Sequence, residues 1–446
     1  MLYSNHSAVT LRRLSCCWLV LWLAGCTSSD LLKINLMPVP EAFEEAIQVA
    51  PQQSPYVDLG PYKGILYVTD REPATADDNS RFYQNDRGSA LRVGSALIGY
   101  VGKEKTVEEL QEIALAKSGT RKFPLAVTEL NEMGILGSAL PYGKLTQLSQ
   151  FGDTPSADES LTDAINAKLA QSARKDVYLY VHGYKVVFEN PLLIAAQLWH
   201  FMGYDGVFMP YAWPSTPKRL AYFKDLETAE LSANNLRLFL EFLAVKTNVE
   251  KVHIIGYSAG TRVVIEALQQ LALKQQCNCE SANRLNRVIG QIALVGSDYD
   301  RERWAAGVAN GLLDIVDGMT IYVSETDKAL GMSRFVFREG RLGQMSEVPD
   351  AHIHEWLEGH KKLNFIDVTG VVGSKAGGGH AYFRTSPWVS SDLLSLLLYQ
   401  FSPKDRGLER IDGDIEWTFP TDYNRRLGAA IRNQKPKRVN EREINQ

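Results

Sequence analysis

From Lys175 onward the chain alternates between two kinds of segment. Short continuous apolar runs occur at Val177–Val181, Gly206–Ala212, Val252–Gly256, Val288–Gly296, Met319–Val323 and Asn364–Val368. Between and after them lie longer stretches with apolar residues at helical spacing, near Pro191–Met202, Lys224–Lys246, Ala259–Lys274, Arg301–Leu312 and Pro387–Phe401. A continuous apolar run suits a strand covered on both faces, and its alternation with helices predicts an α/β fold. The expected architecture is a mostly parallel central sheet with helices on both faces. Such sheets bind ligands beyond the carboxyl ends of their strands.

The pattern upstream is less regular. Ile65–Thr69 and Ala90–Tyr100 read as strands, with the polar stretch Asp70–Ser89 between them as a loop. Helices are expected over 105–117 and about 159–173, and Gly134–Gly152 shows no clear period. After residue 404 the chain turns polar and basic through Arg425, Arg426, Arg432, Lys435, Lys437, Arg438 and Arg442, which reads as a solvated tail. No internal repeat is apparent.

The first residues read as a processing segment. Arg12 and Arg13 precede the apolar run Leu14–Ala24, too short to span a bilayer. Leu23-Ala24-Gly25-Cys26 resembles the lipobox of bacterial lipoproteins, which implies cleavage before Cys26 and lipid on its thiol. Thr27, where an Asp would signal retention, resembles the pattern for outer-membrane sorting. The expected organisation is a signal peptide over 1–25, a lipidated Cys26 with a Pro-rich tether to residue 60, a body over 61–403 with its regular core at 175–403, and a tail over 404–446. One short helix is expected in the tether at Glu41–Val49. The implied location is the cell envelope, anchored by lipid.

Composition narrows the class. Of 446 residues 45% are hydrophobic and 22% charged, which excludes a wholly disordered chain and a multi-span membrane protein. A net charge of −4 argues against general nucleic-acid binding. Five cysteines in this length make no disulfide scaffold, although export would permit a Cys277–Cys279 bridge. Neither a zinc-ligand spacing nor a Gly-rich phosphate loop is present, so no metal and no cofactor is expected.

The candidate chemistry centres on Gly256-Tyr257-Ser258-Ala259-Gly260, a Gly-X-Ser-X-Gly motif between an apolar strand and an Ala-rich helix. Gly256 and Gly260 permit the tight turn that exposes the Ser258 hydroxyl, the expected nucleophile. A serine needs a base, and the base an orienting carboxylate, which this fold type orders Ser, acid, His. His380, after three glycines and before the last helix, is the expected base; His352, His354 and His360 lie in a charged helical segment and read as solvent-facing. Asp327 follows the later strand and is the first choice of acid, with Asp298 as the alternative and Glu325 a weaker third. One oxyanion donor is expected at the amide of Ala259. His-Gly in Val181-His182-Gly183-Tyr184 resembles the oxyanion loop of α/β-hydrolases, which implies the Tyr184 amide as the other. His182 and His253 read as structural, and residues 328–363 as a segment that could cap the pocket, with Phe335, Val336, Phe337 and Trp356 as candidate lining.

With these residues the chain resembles the α/β-hydrolase superfamily, and within it a bacterial group of unknown function with esterase and lipase relatives. The segments VYLYVHGY, YAWPS, KVHIIGYSAGTRVV, YVSETDKAL and GGGHAYF carry the resemblance over roughly 177–385, with ILYVTDR at 65–71 resembling the start of such proteins. It implies a Ser258–Asp327–His380 triad and supplies no substrate. The first functional reading is a serine hydrolase that cleaves a carboxylic ester, of a small molecule or a lipid, through an acyl-enzyme; thioesters and amides stay open. The competing reading is a non-catalytic envelope lipoprotein that uses the fold to bind partners.

Overall fold

The computed structural model describes residues 34, 36–43, 58–59, 62–76, 82–100, 125–137, 156–217, 221–275, 287–337, 340–344, 351–411 and 414–433. The signal segment with Cys26, the helix expected over 105–117, and Cys277 and Cys279 lie outside the described residues.

The regular half of the chain folds as its hydrophobic pattern predicts. Strands β4 (Asp176–Val181), β5 (Val207–Ala212), β6 (Lys251–Tyr257), β7 (Ile289–Val295), β8 (Gly318–Val323) and β9 (Leu363–Asp367) alternate with helices. The helices are α1 (Ala157–Gln171), α2 (Glu189–Phe201), α3 (Tyr222–Lys246), α4 (Gly260–Gln275), α5 (Arg301–Ala309), α6 (Lys328–Phe337), α7 (Ala351–Gly359), α8 (Tyr382–Thr385) and α9 (Pro387–Tyr399). Upstream stand β1 (Ile65–Pro73), β2 (Tyr83–Tyr100) and β3 (Leu125–Gly137); downstream stand β10 (Glu409–Arg410), β11 (Glu416–Thr418) and α10 (Tyr423–Asn433). Among the described residues these strands form an 11-stranded sheet in the order β10-β11-β9-β8-β7-β6-β4-β5-β1-β2-β3. Every neighbouring pair from β11 to β1 is parallel, while β2, β3 and β10 pair antiparallel at the edges.

Alternate residues of each central strand feed two cores. Val177, Leu179 and Val181 of β4 join Ile254, Leu294 and the apolar stripes of α1, α3, α4 and α5. Tyr178 and Tyr180 face the other way, with Ile255, Val295 and the residues of α2, α8, α9 and α10. This two-sided burial is why the strands read as unbroken apolar runs.

Three expectations differ from the structure. First, Asp70–Ser89 is not simply a loop: β1 continues to Pro73 and β2 begins at Tyr83, paired through irregular register at Thr69, Arg71 and Pro73. Buried Asp70 accepts from Asn235, and buried Arg71 donates to the carbonyls of Ala212, Val186 and Gln84 and to Asn85, so distant partners satisfy charges that read as loop. The strand β3 also went unread, being a largely half-exposed edge strand without a continuous apolar run. Second, part of the expected tether is body: Met37, Val39 and Phe43 are buried, the Met37 amide donates to Gln197 and that of Ala42 to Ser391. Only a short turn, Glu41–Phe43, is described where a helix to Val49 was expected. Third, residues 404–433 are no solvated tail. Arg406 is fully buried and pairs with Asp392 at 2.8 Å, while Tyr423 and Leu427 enter the core under α9.

Candidate active site

The strand-to-helix turn after β6 carries Ser258 in the left-handed region, at φ +53°. Sterics disfavour that conformation for any residue with a Cβ, so the turn is held by its surroundings. The Ser258 amide donates to the Val295 carbonyl at 2.9 Å, and the Ser258 carbonyl accepts from the Thr261 amide at 3.0 Å and hydroxyl at 2.6 Å. The glycine of the motif that matters most for packing is Gly260: a Cβ there would lie 2.3 Å from the His182 carbonyl oxygen. Its bareness lets the start of α4 press against the loop after β4. Gly183 in that loop is also close-packed, since a Cβ would stand 2.9 Å from Ser258 Cβ.

The loop after β4 presents its backbone beside the serine. Buried His182 stacks on Trp213, with ring centroids 5.3 Å apart. Its Nδ1 lies 2.6 Å from the Gly183 carbonyl and its Nε2 3.1 Å from the Trp213 carbonyl, while Trp213 Nε1 donates back to the His182 carbonyl at 2.6 Å. Burial, and then the charge of Arg71, push its pKa down to about 3, so the ring is neutral and structural. In a trans peptide the carbonyl and the following amide point in opposite directions. Pinning the Gly183 carbonyl to the His182 ring therefore fixes the direction of the Tyr184 N–H. Ala259 is buried at the opening of α4, immediately after the serine.

His380 and Asp327 meet directly. His380 Nδ1 and Asp327 Oδ2 are 2.6 Å apart, with the Asp327 side chain fully buried and His380 17% exposed. The other carboxylate oxygen accepts from the amides of Ala329 at 3.0 Å and Leu330 at 3.1 Å, so Asp327 also closes the first turn of α6. Gln344 donates to the Asp327 carbonyl at 3.2 Å. Against the imidazole stand Tyr257, at 5.1 Å between ring centroids, and Gly296, where a Cβ would be 3.1 Å from His380 Cε1. Tyr382 locks the floor by accepting from the Gly296 amide at 2.6 Å and donating to the Tyr322 carbonyl at 3.0 Å. Ser258 and His380 thus flank the same residue, Tyr257. Among the described residues no hydrogen bond joins the Ser258 hydroxyl to His380; in unliganded sites such contacts are commonly loose and tighten around substrate.

The alternative acids stand elsewhere. Asp298 accepts from Ser333 at 2.5 Å and lies 3.5 Å from Arg262 and 3.8 Å from Arg341. Arg262 also donates to its carbonyl at 2.8 Å. Asp298 therefore ties α4, α6 and the segment at 340–344 together, as a buried group near the site. Glu325 is exposed, its amide donating to Thr369. His352, His354 and His360 sit on or just after α7, and His253 accepts from the Gln291 amide inside the sheet. Trp356 packs edge-on against Trp304 of α5. The side chains of Phe335, Val336 and Phe337 lie outside the described residues. No cluster of three or more His, Cys, Asp or Glu placed to hold a metal occurs among the described residues.

Arg262, Arg341, Gln344 and Tyr382 escaped sequence reasoning. Only Tyr382, two residues beyond His380, and Arg262, four beyond Ser258, carried a positional signal.

A family model described as an alpha/beta hydrolase of unknown function (DUF900) matches residues 157–396, the span that holds every residue of this site. No curated protein and no solved structure matches the chain at a significant level.

Proposed function

The chain belongs to this family of α/β hydrolases, and from that premise we propose that it is a serine hydrolase that cleaves a carboxylic ester through an acyl-enzyme on Ser258. The observation that carries the reading is the 2.6 Å contact of buried Asp327 with His380, whose ring packs against Tyr257, the residue before a serine held at positive φ. Asp327 holds the imidazole with Nδ1 protonated, leaving Nε2 free to take the serine proton. The Ser258 oxygen then adds to the substrate carbonyl carbon. The resulting oxyanion is met by the amides of Ala259 and Tyr184. Collapse breaks the bond to the alcohol oxygen, which leaves with the proton from His380. Water repeats the sequence, giving up a proton to His380, adding to the acyl carbon and releasing the acid and free Ser258.

Hydrolysis of p-nitrophenyl esters of graded acyl length tests the reading. Wild type is expected to turn over at least one of them, and Ser258→Ala to lose that activity by at least about 10³-fold. Equal rates in both proteins would overturn it. The envelope location expected from Cys26 is likewise a proposal, supported by the Leu23–Cys26 motif. It predicts that full-length protein labels with a clickable palmitate analogue in a bacterial host and that Cys26→Ala does not.

A further inference from the structure

We propose that the substrate of this site carries an anionic group, a carboxylate or a phosphate, received by Arg384 together with the hydroxyls of Tyr180 and Tyr257. The inference rests on the hydrolase reading above and names the class of substrate it would serve.

Arg384 follows the base by four residues and lies in α8. Its neighbour Phe383, fully buried, sets α8 against one wall of the site: its ring centroid is 4.9 Å from that of Tyr257 and 6.1 Å from that of Tyr180. Tyr257 precedes the nucleophile and stands 5.1 Å from His380. Tyr180 lies at the end of β4, two residues before His182 and the oxyanion loop. One wall of aromatic rings therefore runs from the base to the loop that receives the oxyanion, and Arg384 stands beside it. Its positive charge reaches both phenols, opposing the upward push that burial gives their pKa values.

What marks this wall as a receptor is its unmet hydrogen bonding. Arg384 is half-buried, yet among the described residues its guanidinium has neither a hydrogen bond nor an ion pair. Buried arginines elsewhere differ: Arg71 reaches several acceptors and Arg406 has Asp392. The Tyr180 hydroxyl is fully buried and also lacks a partner. Buried polar groups are nearly always paired, and a guanidinium presents a planar fork of donors suited to carboxylate or phosphate oxygens. An anion here would accept from the guanidinium and from phenol hydroxyls at once. Tyr257 is only partly buried, so the wall reaches the surface at the residue that precedes the nucleophile.

The test compares esters matched in length and leaving-group chemistry but ended by a methyl, a carboxylate or a phosphonate, on the acyl chain in one set and on the alcohol in another. They are offered to wild type, Arg384→Gln and Arg384→Lys, each checked by neutral fluorophosphonate labelling of Ser258. In wild type one anionic ester is expected to exceed its neutral match at least tenfold in kcat/KM. Arg384→Gln should lower kcat/KM for that ester at least tenfold more than for the neutral one, and Arg384→Lys should restore part of the preference. The tail preferred separates carboxylate from phosphate substrates. Labelled wild type that treats neutral and anionic esters alike, or a preference that survives Arg384→Gln, would overturn the proposal while leaving the hydrolase reading intact. Absence of labelling in folded wild type would instead remove the hydrolase reading, and this inference with it.

Discussion

At Ser258 the backbone conformation and the chemistry oppose one another. The left-handed φ of +53° sets the Ser258 side chain at the head of α4, where it is 6% exposed, but disfavours any side chain. Ser258→Gly is therefore expected to be more stable than Ser258→Ala by about 1 kcal/mol, read from urea midpoints, because only glycine adopts this conformation without penalty. Equal midpoints would mean the turn is unstrained. His182 makes a second prediction at this scale. Its folded pKa of about 3 lies below the ordinary 6.5, so as pH falls the unfolded chain takes up a proton that the folded chain refuses. The stability this group contributes is complete above pH 6.5 and is lost progressively toward pH 3, at up to about 1.4 kcal/mol per unit. Between pH 6.5 and 5 wild type should lose more stability than His182→Gln. Parallel losses would show that the imidazole is not held neutral. Asp327 and Asp298 divide along the same line: Asp327→Asn should cost about 10⁴-fold in kcat by disturbing the imidazole tautomer, and Asp298→Asn much less. Comparable losses would contradict the assignment of the acid.

The elements that present these residues were legible to different degrees. The strand, turn and helix around Ser258 announce themselves through an apolar run, a Gly-X-Ser-X-Gly motif and a helical stripe, all local in sequence. The extension of β1 through Asp70 and Arg71 does not, because its charges are satisfied by Asn235 and by carbonyls on β5 and the loop after β4. No pattern within the segment encodes those partners. The cluster of Asp298, Arg262 and Arg341 was hidden for the same reason, since it gathers three separate segments. Gly260 shows how closely two elements depend on one another. In Gly260→Ala the new Cβ must displace the His182 carbonyl, so α4 or the loop after β4 moves. The variant should lose about 1–3 kcal/mol of stability, and fluorophosphonate labelling should slow at least tenfold. Labelling at the wild-type rate would show that this packing does not position the donors.

Across the whole molecule, the polar character of residues 404–433 conceals a structural role. Tyr423, Leu427 and Ile431 recur every fourth residue, a helical stripe that a basic composition overshadowed. In the fold Asp392 of α9 receives Arg406 at 2.8 Å, Tyr322 at 2.8 Å and Tyr423 at 3.3 Å, joining the central sheet, α9 and α10 in one buried network. Arg406→Met leaves the Asp392 charge buried without its cation and should cost about 3–5 kcal/mol, measured by denaturant unfolding. A loss below about 1 kcal/mol would return this segment to the role of a tail. The parallel core, by contrast, was readable, because each strand is apolar on both faces, and of the candidate residues the fold brings Asp327 and His380 into direct contact. The central claim is that Ser258 is activated by the His380–Asp327 pair, and fluorophosphonate labelling read by intact mass tests it most directly. Wild type should gain a single adduct that is absent in Ser258→Ala and greatly slowed in His380→Ala. A folded wild type that gains no adduct, or labelling undiminished in Ser258→Ala, would contradict it.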